Sequence, residues 1–180
     1  ENIEDPNKFF ELKLASVLRD KEENFIPKQT TLNKKSSNIF GSVSNNFIEF
    51  LDINYNFAID NDLKSLEYSN FNAELKFNNL TTQLNFVEES GEMGSANFIE
   101  NDTSFKFNEN NYLTFKTRRN KKLNLTEYYD LVYEYKNDCL TAGIKYKKTY
   151  YEDRDLKPSE NIFFTISLIP LTNYEQKIER

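Results

Sequence analysis

The chain has 180 residues, 38% of them hydrophobic, and 29 acidic against 23 basic side chains give a net charge of −6. That balance does not suit a nucleic-acid binder, and no stretch approaches the ~20 consecutive apolar residues of a membrane helix. With no His and 1 Cys there is no His general base, no zinc cluster and no internal disulfide.

Aromatic residues are frequent all the same, 16 Phe and 11 Tyr in a chain of mean hydropathy −0.75, which suits a sheet with one apolar face. The first strand is expected over 8–18 and is followed by the longest loop, 20–37. A second strand is expected over 38–44 and a third over 47–60. In the third, Leu51, Ile53, Tyr55, Phe57 and Ile59 alternate with Asp52, Asn54, Asn56, Ala58 and Asp60, so the two sets fall on opposite faces. The pattern repeats over 64–78, where Phe71, Ala73, Leu75 and Phe77 oppose Asn72, Glu74, Lys76 and Asn78. It continues over 80–89, with Leu80, Thr82, Leu84 and Phe86 opposite Thr81, Gln83 and Asn85. Strands over 97–107 and 111–119 come next. Over 122–136 the set Leu123, Leu125, Tyr129, Leu131, Tyr133 and Tyr135 shares a face, interrupted by Glu127. Leu140, Ala142, Ile144 and Tyr146 oppose Thr141, Lys145 and Lys147 over 139–151, and a last strand is expected over 160–170 before a charged, frayed tail, 172–180.

The connections alternate in length. Short ones fall at Asn45-Asn46, Asn78-Asn79, 108–111 and Asn137-Asp138, and longer ones at 20–37, 60–64, 88–97, 119–122 and 151–160. Asn tolerates the positive φ that tight hairpin turns require, which matters in a chain with only 4 Gly. An all-β, antiparallel up-and-down sheet of about ten strands with one blunt end and one ornate end gives this rhythm, as in transmembrane β-barrels with short periplasmic turns and longer external loops. If the strand over 160–170 is the last and runs inward, counting back puts all the short turns in the periplasm. Glu1 begins in mid-pattern, so the chain reads as the C-terminal part of a larger barrel.

The last third, TRRNKKLNLTEYYDLVYEYKNDCLTAGIKYKKTYYEDRDLKP followed by FFTISLIPL, resembles the C-terminal region of the LptD family, the lipopolysaccharide-assembly proteins of Gram-negative outer membranes. The segment IPKQTTLNKKSSNIFGSV also resembles a loop-and-strand piece of that family. The resemblance implies a barrel of roughly two dozen strands that encloses an LptE-like plug lipoprotein. It also implies an N-terminal domain that receives lipopolysaccharide from a periplasmic bridge. Lipid would leave sideways between the first and last strands, with 161–171 on one side of that opening. No cofactor and no enzymatic activity are expected. Another outer-membrane channel or receptor is the alternative, followed by a soluble β-sandwich or lipocalin-like module that would bury the apolar faces.

Family members carry adjacent cysteines where this chain has Asp138-Cys139, so the resemblance implies a disulfide from Cys139 to a periplasmic domain outside the chain. A free thiol is the plain alternative. Arg118, Arg119, Lys121 and Lys122 at an outer strand end could meet lipopolysaccharide phosphates, although a solvated charged turn is the commoner use of such a run. Asp153, Arg154 and Asp155 before Pro158 are expected to structure their loop, and their spacing matches no calcium loop. Tyr150 and Tyr151 suit an interfacial girdle, with ordinary strand propensity the alternative. The N-x-T triplets at Asn79, Asn101 and Asn124 are chance matches in so Asn-rich a chain. Nothing marks a catalytic pair: there is no Ser–His couple, and Glu88-Glu89 has no feature of an acid/base pair.

Overall fold

The computed structural model describes residues 8–150, 157–168 and 172–179. Apart from one 3-10 turn, Lys28–Thr30, the regular structure among them is strand. The strands are β1 (Phe10–Ala15), β2 (Ile39–Ile48), β3 (Leu51–Ile59), β4 (Leu66–Phe77), β5 (Leu80–Glu89) and β6 (Asn97–Lys106), then β7 (Asn111–Asn120), β8 (Leu125–Lys136), β9 (Leu140–Thr149), β10 (Ser159–Leu168) and β11 (Thr172–Glu179). They form one antiparallel sheet in sequence order, β1 through β11, the up-and-down arrangement expected from the period-two pattern. Contacts divide the chain into two compact units. One holds residues 1–74 and 84–98, the other 75–83 and 99–180, so the boundary crosses β4, β5 and β6.

In the first unit the register joins Leu12 to Val43 and Leu14 to Gly41, and then Val43 to Tyr55 and Gly41 to Phe57. The ring of Phe57 lies over Gly41, in the space a Cβ there would need, and it stacks on Tyr55 with centroids 5.5 Å apart. The missing side chain at position 41 is therefore what lets the ring lie flat across the sheet.

The Asn45-Asn46 pair is a correction to the expected turns. β2 runs on to Ile48, and the hairpin turns at Glu49-Phe50. The ladder slips between Asn45 and Ile48, so the Asn pair lies at a bulge, where Asn45 Oδ1 accepts from the Phe47 amide at 3.2 Å. Asn does serve the other short turns, but mostly not through positive φ. Only Asn78 among those turn residues adopts it, at 50°. Elsewhere the side chain accepts local amides: Asn108 Oδ1 from Asn110 N at 3.0 Å, and Asn137 Oδ1 from Cys139 N at 3.0 Å and Leu140 N at 2.8 Å.

The residues expected to fray form β11, paired with β10 from Asn161↔Glu179 to Leu168↔Thr172. This is a second correction, with a consequence for sidedness. β10 ends on the short-turn side, but β11 returns to the other, so strand parity no longer assigns the turns to one side. The length alternation also lapses at one point, since 107–110 and 121–124 connect their strands with equal numbers of residues.

The loop over 60–65 is fixed by one carboxylate. Asp60 Oδ1 accepts from the amides of Ser65 at 3.0 Å and Lys64 at 2.6 Å. These bonds, the one from Ser65 foremost, hold the Asp60 carboxyl below its ordinary value of 3.8 against an opposing effect of desolvation. A depressed folded pKa contributes stability above the unfolded value, lost as pH falls through the folded one. The loop is therefore expected to stay closed down to the ordinary aspartate range and to open only below it. Amide exchange at Lys64 and Ser65 should accelerate there in the native chain and already at neutral pH in Asp60→Asn.

Candidate functional site

The sheet has no dry interior among the described residues. Ala58 and Val87 are the only buried hydrophobic side chains there. Large apolar side chains instead line one face of each unit and stay exposed. In the first unit Phe10, Leu12 and Leu14 of β1 are 56–63% exposed. In the second, Tyr129, Leu131, Tyr133 and Tyr135 share the exposed face of β8, with Ile144 on β9 and Phe164, Ile166 and Leu168 on β10. The register makes this face continuous, joining Leu113, Tyr133, Ile144 and Phe164 across four strands. A shallow hollow of about 260 Å³ opens above Ala142, walled by Tyr133, Tyr135, Ile144, Phe164 and Ile166.

Polar side chains on this apolar face bond to one another. Thr82 and Thr103 hydroxyls lie 2.7 Å apart, and Asn101 joins both, donating Nδ2 to Thr82 at 3.1 Å and accepting from Thr103 at 3.0 Å. Tyr133 donates to Asn111 Oδ1 at 2.5 Å, and Ser69 donates to the Tyr55 hydroxyl at 3.3 Å. At the β9–β10 end, Lys148 lies 3.7 Å from Glu160 and 5.5 Å from the centre of the Tyr150 ring, which meets Tyr129 edge to face at 6.1 Å.

The opposite face of the second unit carries a ladder of charges. Lys116 reaches Asp102 at 2.5 Å, Arg118 reaches Glu100 at 3.2 Å and Glu127 at 2.8 Å, and Lys145 reaches Asp130 at 3.1 Å. β6 and β8 supply the acids and β7 and β9 the bases, so signs alternate from strand to strand. A slip in the ladder between Arg118 and Arg119 brings Glu127 beside Arg118. Glu127, which interrupts the apolar pattern in the sequence, thereby gains a cation, and Asn120 Nδ2 donates to its other oxygen at 3.2 Å. Sequence reading singled out Arg118 for a different role and gave Glu100, Asp102 and Asp130 none. The available signal was the opposite sign of the charges on the non-apolar set of successive strands. In the first unit the corresponding face is uncharged over much of β4, where Asn72 donates to Asn70 at 2.6 Å and Asn70 to Tyr68 at 3.1 Å.

The four basic residues are not one presented cluster. Arg118 is half-buried between two carboxylates. Arg119 donates to Asn124 Oδ1 at 2.5 Å, across the 121–124 turn in which Lys121 and Lys122 are exposed. Cys139 is an exposed free thiol just before β9, in the turn that Asn137 closes. Pro158 is exposed ahead of β10, whereas Asp153, Arg154, Asp155 and Tyr151 lie outside the described residues. No protein-family model and no curated protein matches the chain.

Proposed function

We propose that the chain supplies strands to an outer-membrane β-barrel of the lipopolysaccharide-assembly type. The exposed apolar face meets lipid and the charged, amide-rich face lines a wet conduit. The observation that carries this reading is the absence, among the described residues, of a dry core beside an exposed apolar face that is continuous across β7 to β10. Soluble monomers rarely expose such a face, whereas strands with one lipid side and one wet side require it. The polar groups on the apolar face support the same reading, because in hydrocarbon a hydroxyl or amide has only protein partners. The lipopolysaccharide cargo, the plug and the bridge come from the sequence resemblance over residues 25–171. Sidedness follows loop length, with the short turns and Cys139 on the periplasmic side.

The function is guidance without bond chemistry. Asn54, Asn56 and Gln83 present exposed amides on the wet side for saccharide hydroxyls, and the ion pairs keep charged side chains extended along the wall. A photo-crosslinking residue at Asn56, in the intact protein in its own envelope, should capture lipopolysaccharide, and one at Leu131 should capture phospholipid. Capture of membrane lipid at 131 without lipopolysaccharide at 56 would favour a different outer-membrane channel, for which the charge ladder is equally suited. Solubility of the intact protein without detergent would overturn both.

On this reading of sidedness from loop length, Cys139 is a periplasmic thiol. Non-reducing electrophoresis of the intact protein should show a mobility shift that Cys139→Ser abolishes. A thiol that alkylates fully in unreduced envelopes would remove the bridging role and leave the barrel reading in place.

A further inference from the structure

We infer that the long β1–β2 connection builds a binding pocket for a carbohydrate bearing an acidic group. This connection is folded rather than loose. Arg19 N donates to Lys35 O at 2.7 Å, Glu23 N to Asn33 O at 2.9 Å and Ser37 N to Val17 O at 2.9 Å, so its two arms pair like a hairpin around the Lys28–Thr30 turn. Thr31, Ser37 and Asn38 are buried at its root, where Asn38 Nδ2 donates to Glu67 Oε2 at 2.6 Å. Lys34 reaches Glu92 at 3.0 Å and ties the hairpin to the β5–β6 connection.

Beside these contacts opens a polar pocket of about 430 Å³, within the range of small-molecule sites. Its wall includes three amides, Asn24, Asn33 and Asn61, together with Lys28, Lys35 and Glu22, beside the Lys34–Glu92 pair. An amide offers a donor and an acceptor a short distance apart, which matches the vicinal hydroxyls of a sugar ring. Glu22 and the amides can engage ring hydroxyls that inorganic phosphate does not carry, so phosphate alone would use only part of the wall. Three lysines against two glutamates leave a net positive wall, and a carboxylate or phosphate on the sugar would answer it.

Phe25 adds the remaining element. It follows Asn24 in the turn closed by Ile26 N to Glu23 O, and it is 97% exposed. An exposed aromatic ring one residue along from Asn24, in an ordered turn, offers a surface for the apolar side of a sugar ring. The pocket lies within one compact unit and does not depend on the lipid conduit proposed above.

Saturation-transfer NMR on the intact protein, in a detergent without a sugar headgroup, tests this with glucuronate, glucose and inorganic phosphate. Glucuronate should bind, with glucose about tenfold weaker and phosphate unable to displace the sugar at equal concentration. Lys28→Gln with Lys35→Gln should bring glucuronate down to the level of glucose, and Phe25→Ala should weaken both sugars. Amide protection at Arg19 and Glu23 should persist in these variants, showing that the hairpin is intact. Absence of sugar binding, phosphate competing as well as glucuronate, or unchanged affinity in the folded variants would each overturn the proposal.

Discussion

Leu131→Arg is expected, on the proposed lipid-facing assignment, to destabilise the protein in a bilayer by about 2–4 kcal/mol, the range for a cationic side chain on the lipid face of a barrel near mid-bilayer. Leu131 is 41% exposed in the middle of β8, on the face that carries Tyr129, Tyr133 and Tyr135. Thr114→Arg is the matched control, because Thr114 pairs with Val132 on the opposite face. There the new side chain meets a charged, hydrated wall, and its effect should stay below about 1 kcal/mol. Urea titration of both variants in liposomes reads the difference. If the apolar face met water instead, an Arg at position 131 would shift the midpoint by no more than about 0.5 kcal/mol, as surface substitutions generally do. Equal midpoints for the two variants would remove the lipid-facing assignment.

Arg118→Leu is expected to cost about 1–2 kcal/mol, because it leaves Glu100 and Glu127 facing one another without the cation between them. Charge-assisted bonds of this kind contribute about 1.5–3 kcal/mol when enclosed. The lower figure allows for the roughly one-third exposure of all three side chains and the solvent screening that follows. Adding Glu127→Gln to Arg118→Leu should recover part of the loss, since one of the opposed charges then disappears. A double-mutant cycle in the same liposome assay isolates that coupling. The penalty should shrink at 1 M salt, where screening acts within about 3 Å. A penalty independent of both salt and Glu127 would show that Arg118 acts through the packing of its stem rather than its charge.

The strand positions were legible because a half-buried strand writes its period of two directly into the sequence. β5 begins and ends where the alternation does, at Leu80 and Glu89. The misplaced turn at Asn45-Asn46 has a physical reason: Asn satisfies local amides equally well in a turn and in a bulge, and the sequence does not distinguish the two. β11 was not expected because its Glu175, Lys177 and Glu179 read as a solvated tail, yet its backbone pairs with β10 along the whole strand. The ion pairs of the charged face depend on register, which no single strand encodes. Arg118 was found as a cation but not as the partner of Glu127, because that contact requires the one-residue slip in β7–β8. The hairpin over 16–38 was hidden for the opposite reason: its packed residues, Thr31, Ser37 and Asn38, are polar, and polarity in a loop ordinarily signals exposure.

The fit of Phe57 over Gly41 carries a consequence for how the two positions can change. The space above that cross-strand pair is shared, so volume gained at 41 must be surrendered at 57. Gly41→Ala alone should crowd the ring, while the same change beside Phe57→Leu should be accommodated. In a library randomised at both codons, surviving clones would therefore trade size between the two sites, and their summed side-chain volume would vary less than either volume alone.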